Sequence, residues 1–114
     1  MPSVAWSIRY YSESVRQDIE AWPLGIRVVY ARITERIQTF GPHLGMPFTR
    51  AMGEGLTEIR AKGKEGVGRA LFCTAGGQEI VILHAFIKKT QKTLWKDLAI
   101  ARKRLKEVRR ENTR

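Results

Sequence analysis

The chain is short of the residues that most often carry chemistry. A single cysteine, Cys73, excludes an internal disulfide and favours a cytoplasmic setting. The two histidines, His43 and His84, lie far apart, and with one cysteine they do not make a zinc-binding set. Serines fall only within the first 14 residues, and no Ser/His/Asp arrangement stands out. The opening MPSVAWSIRYYSESV has no uninterrupted apolar stretch of the signal-peptide kind, and no later run approaches membrane-spanning length. Repeats, low-complexity tracts and linkers are absent. Acidic residues are scarce as well, 11 against 21 Lys and Arg, for a net charge of +10. What remains is one domain of residues 1–114, expected in the cytoplasm, with no membrane partner, cofactor or metal.

The positive charge is unevenly placed. Residues 84–114 hold 11 basic and 3 acidic residues, a local charge of +8, whereas residues 1–83 carry only +2. Such asymmetry points to an anionic partner, most often nucleic acid. A solvated cationic helix or a membrane surface would also fit, although bulky aromatic anchors for an interfacial helix are missing. The apolar content of 43% argues against disorder.

Hydrophobic periodicity divides the chain into elements. VAWSIRYY (4–11) reads as a first strand. Ser14 and Gln17 suggest a capping box before a helix with Val15, Ile19 and Trp22 on one face, stopped by Pro23. A second helix carries Ile26, Tyr30, Ile33, Ile37 and Phe40 and ends at Gly41-Pro42. GPHLGMPFTRAMGEG (41–55) is expected to be a structured loop. LTEIRAK (56–62), VGRALFCT (67–74) and EIVILHAFI (79–87), joined by GKEG and AGGQ, form an antiparallel meander. The last of these is apolar at consecutive positions, as in a strand covered on both faces. Thr93 is placed to cap a final helix with Leu94, Leu98, Ala101, Leu105 and Val108 along a narrow stripe. The predicted order is β-α-α-β-β-β-α, an α+β domain with helices on one face of a largely antiparallel sheet and a ligand site on the other.

LTEIR, GRALF, IVILHAFIKKTQKT and a closing basic helix, in that order, resemble the RelE/ParE toxin superfamily. The GPHLGMPF loop and FIKKTQKT are similar to its HigB-like, phage-derived group of type II toxin–antitoxin toxins. The resemblance runs from about Val4 to Glu107 and implies a small RelE-like fold. It further implies a metal-independent mRNA endonuclease acting on the ribosome, neutralised by an antitoxin that often carries a helix-turn-helix domain. ParE-like members poison gyrase instead, and a basic module that binds RNA without cleaving it is a third reading.

Cleavage of this kind uses the ribose 2′-OH as nucleophile, which needs a base, cations for the phosphorane and a donor for the 5′-oxygen. The resemblance places Arg69, near the start of GRALFCT, on the scissile phosphate, where an arginine fork binds two oxygens. Arg60 shares a strand face with Glu58 and is either a local ion-pair partner or a phosphate ligand. Lys88 and Lys89 leave the last strand on opposite faces, and the resemblance favours Lys89 for phosphate. Gln91 and Lys92 are candidates for flanking nucleotides, and Trp95 for base stacking. His84, placed by strict alternation with Ile80, Ile82 and Phe86, is a candidate acid or base and equally a core histidine. Related toxins carry a tyrosine in the last helix or tail; TLWKDLAIARKRLKEV has Trp95 and none. The run GKEGVG lacks the helix that a phosphate-cradling loop needs.

Overall fold

Alternating and apolar runs become strands, and amphipathic runs become helices, with bounds close to those the periodicity predicts. The computed structural model of the protein describes residues 5–88 and 94–112. The elements are β1 (Ser7–Tyr10), α1 (Glu13–Glu20), α2 (Leu24–Phe40), β2 (Thr49–Gly53), β3 (Leu56–Gly63), β4 (Gly66–Ala75), β5 (Glu79–Lys88) and α3 (Leu94–Asn112). The five strands form one sheet in the order β1-β5-β4-β3-β2. Among the described strands β1 pairs in parallel with β5, and the other pairs are antiparallel. The α+β class and the β3–β4–β5 meander are as expected. One strand was not: Thr49–Gly53, inside the segment expected to be loop, pairs with β3 as an edge strand broken by a bulge after Ala51.

The helices lie on both faces, correcting the expectation that they share one. Val15, Ile19, Trp22, Ile26, Tyr30, Ile33 and Ile37 of the α1–α2 region pack on Ile59, Ala61, Ala70, Phe72, Ile80, Ile82 and Ala85. On the opposite face Ala101, Leu105 and Val108 of α3 pack on Leu56, Leu71, Cys73, Val81 and Leu83. The reason is in β5, whose consecutive apolar residues need cover on each side. Two end details also differ. The α1 cap is Ser12, not Ser14: its extended backbone lets Oγ accept from the Val15 amide at 3.3 Å. Phe40 ends the α2 stripe exposed, because Gly41, at φ 99°, turns the chain away there.

A bulge sets which face β5 shows. Leu71 pairs with His84 while Phe72 pairs with Ile82, so Leu83 is an extra residue in the ladder. Leu83 and His84 therefore both face α3. His84 shares its face with Phe86, stacked on it at 5.5 Å, but not with Ile80 and Ile82.

The β3–β4 hairpin is held against the start of α2. Pro23 gives α2 no side-chain cap; instead Glu65, in the turn between Gly63 and Gly66, accepts from the Gly25 amide at 3.0 Å. Gly68 lets the helix approach, since a Cβ there would stand 2.7 Å from both Ile26 Cγ2 and the Trp22 ring. Trp22 meets Tyr30 edge to face, and burial pushes the Tyr30 phenol pKa up while it hydrogen-bonds Tyr10 at 2.9 Å. Gly68→Ala is expected to overpack this contact and lower the unfolding free energy by about 1–3 kcal/mol, measured by urea denaturation.

Candidate functional site

Ladder register places three rungs across β3, β4 and β5 on the face that α3 shares. Glu58, Leu71 and His84 form the first, Arg60, Arg69 and Phe86 the second, and Lys62, Val67 and Lys88 the third. The α3 helix begins over the first rung, where Asp97 of its first turn meets His84 at 2.8 Å, and runs away from the other two. The sheet face thus grades from an acid under the helix, through two arginines, to lysine positions at the end. Lys62, a residue the sequence reading did not single out, is exposed on the third rung.

Glu58 is completely buried, at 0% exposure, and Arg69 nearly so, at 6%. Arg69 Nη1 donates to Glu58 Oε2 at 2.9 Å. Arg60 Nε lies 3.7 Å from Glu58 Oε1, an ion contact too long for a hydrogen bond. Glu58 Oε1, Arg60 Nε and Arg69 Nε are buried without hydrogen-bond partners among the described residues. The main partner of Glu58 is therefore Arg69 on the neighbouring strand, while Arg60, two residues along, is held more loosely. Arg60 keeps 27% of its side chain exposed and reaches Met46 Sδ at 3.9 Å.

His84 and Asp97 are both largely covered, at 16% side-chain exposure. With a carboxylate accepting at Nε2, that nitrogen is the donor of the pair, and the bond fixes the orientation of the ring. His84 stands diagonal to Arg69 across the β4–β5 pair, a separation of roughly 7–8 Å between backbones. Trp95, exposed at 73%, begins the same helix turn. Asp97 was missed by sequence reasoning; its signal is an acidic residue in the first turn of a helix that otherwise lacks carboxylates until Glu107.

Arg102 Nε pairs with Glu54 at 2.9 Å, and Arg104 donates to the Leu83 carbonyl at 2.7 Å beneath the Tyr11 ring, so both fasten α3 to the sheet. Tyr11 packs against the same helix. Its phenol hydrogen-bonds Glu107, which together with burial raises its pKa. Burial likewise pushes the Cys73 thiol up, away from nucleophilic use. Among the described residues no cluster of three or more His, Cys, Asp or Glu is arranged to hold a metal. No described helix is long and apolar enough to cross a membrane. Lys89, Gln91, Lys92 and the Thr93 cap lie outside the described residues.

The fold and site together define a small α+β domain with a cationic sheet face beside a carboxylate-held histidine. Residues 17–106 match the family described as Phage derived protein Gp49-like, and the chain belongs to that family. The family is part of the RelE/ParE-like toxin superfamily of toxin–antitoxin systems. No curated protein matches the chain.

Because Glu58 is buried, removing its partner leaves an uncompensated charge. Arg69→Ala is expected to cost roughly 3–5 kcal/mol of stability in a urea titration. The apolar double variant Glu58→Leu with Arg69→Met should recover most of that loss.

Proposed function

We propose that the protein is a HigB-like toxin that cleaves messenger RNA on the ribosome in the cytoplasm, and that a cognate antitoxin with a helix-turn-helix domain neutralises it. The observation that carries this reading is the rung geometry: two arginines opposite each other on the ladder, diagonal to a histidine held by a carboxylate. Arg60 and Arg69 are the ligands of the scissile phosphate, Arg69 fixed in the sheet and Arg60 at the open side. His84, oriented by Asp97, takes the proton of the ribose 2′-OH at Nδ1. The 2′-oxygen then bonds to phosphorus as the bond to the 5′-oxygen breaks, and that oxygen takes a proton from water as the new strand leaves. Membership of a toxin superfamily and the +8 charge of residues 84–114 support the same reading. Lys62 and Lys88, with Lys89, Gln91 and Lys92, would guide the flanking backbone, and Trp95 would offer a base a stacking surface.

The test is induction in a bacterium followed by primer extension on a translated message. Wild type should give new 5′ ends, and Arg60→Ala should remove them while keeping the wild-type melting temperature. Asp97→Asn should slow cleavage by about 100-fold, the order expected for loss of an oriented proton carrier. Intact transcripts with the wild type would sink the nuclease reading.

A further inference from the structure

The proposed reaction needs the two arginines of the second rung but has no use for the acid beside them. A carboxylate next to a phosphate ligand repels the substrate, and a wholly buried one also loses its hydration. Yet Glu58 lies at 0% exposure, bonded to Arg69 and 3.7 Å from Arg60. We infer that Glu58 is a positioning residue that fits this seat to a phosphodiester inside an RNA chain and against a terminal phosphate. The inference rests on Arg60 and Arg69 being the phosphate ligands.

Two features carry it. The first is hydrogen bonding. Glu58 occupies one nitrogen of Arg69 and fixes its plane, while Arg69 Nε and Arg60 Nε stay buried with no hydrogen-bond partner among the described residues. Buried N–H groups of this kind are donors in want of an acceptor, and phosphate oxygens supply one. The second is charge. Two guanidinium groups and one carboxylate leave a net charge of +1. A phosphodiester carries a single negative charge, so the loaded seat is neutral, the favoured state for a cluster shielded from water. A terminal phosphate monoester carries about −1.5 to −2 near pH 7 and would leave excess negative charge beside Glu58. Arg50, opposite Glu58 on β2, and Lys62, on the next rung, are both exposed, where solvent screens them, so they steer RNA and alter the balance in the seat little.

The probe is a short 2′-O-methyl RNA, which lacks the nucleophile and cannot be cut, with and without a 3′-terminal phosphate. Binding is followed by fluorescence polarisation over a series of KCl concentrations. Wild type should gain nothing from the terminal phosphate. Glu58→Gln, which keeps an acceptor for Arg69 but removes the charge, should bind more tightly, steepen the log–log salt slope by about 0.7 and now prefer the phosphorylated probe. A folded Glu58→Gln protein with wild-type slope and no such preference overturns the inference. If that variant does not fold, the neutral pair Glu58→Gln with Arg69→Gln decides. Its seat again carries +1, so its slope should equal wild type despite the lost arginine, and a slope shallower by about 0.7 overturns the inference. Wild type that binds no RNA overturns this inference, while the proposed function stands or falls on the ribosomal transcripts. Wild type that binds but leaves ribosomal transcripts intact overturns only the nuclease reading.

Discussion

Glu58 places a carboxylate in the middle of a three-strand ladder with no exposed surface, and a buried charge must be answered by an opposite one. Its answer comes from Arg69 on the next strand, diagonal to it in the ladder, rather than from the nearer-in-sequence Arg60. Once Arg69 is held there, it cannot follow solvent as a surface arginine would. Arg60, opposite it, becomes the adjustable member of the pair, with its far end at Met46. The order along the face, acid then arginines then lysine positions, sets the arginine pair beyond the rung where α3 meets His84.

That division depends on how α3 is attached. Its apolar stripe is narrow, and polar contacts distributed along the helix supplement it: Asp97 to His84, Arg102 to Glu54, Arg104 to the Leu83 carbonyl and Glu107 to Tyr11. The bulge at Leu83 underlies two of these. An extra residue in a ladder leaves its backbone groups without strand partners, and Arg104 takes up the carbonyl so released. The same extra residue brings His84 onto the α3 face, within reach of Asp97. A single irregularity therefore anchors the helix and creates the histidine–carboxylate pair.

The meander and the helices were legible in the sequence because their signals are local. Alternation in LTEIRAK, the glycine turns GKEG and AGGQ, and the spacing of Ile26, Tyr30, Ile33 and Ile37 each depend on neighbours a few residues away. What was not legible depends on pairing at a distance. Counting by twos put His84 with Ile80 and Ile82 because a bulge has no sequence mark when both strands are apolar. Glu58 was matched with Arg60 because the pair shares a strand, whereas its bond to Arg69 requires the β3–β4 register. The edge strand β2 has the sequence TRAMG, with neither alternation nor β-branched residues after its threonine, and β3 alone gives it a partner. The two-sided helix packing was implied by the consecutive apolar residues of β5, since a strand buried on both faces needs a cover on both.

Arg60 directly opposite Arg69 is an unfavourable cross-strand pair, and the exposed Lys62 on the next rung adds further positive charge. The hairpin that carries most of this repulsion is held from its other face. Glu65 binds the start of α2, and Gly68 admits Trp22 and Ile26 against the backbone immediately before Arg69. The apolar face therefore supplies the stability that the charged face lacks. Relaxing the hairpin to separate the arginines would open the Trp22–Gly68 contact and draw Glu65 away from α2. The Glu58 carboxylate, bonded to Arg69 and 3.7 Å from Arg60, offsets part of the repulsion, and the packing on the apolar face holds the hairpin against the rest.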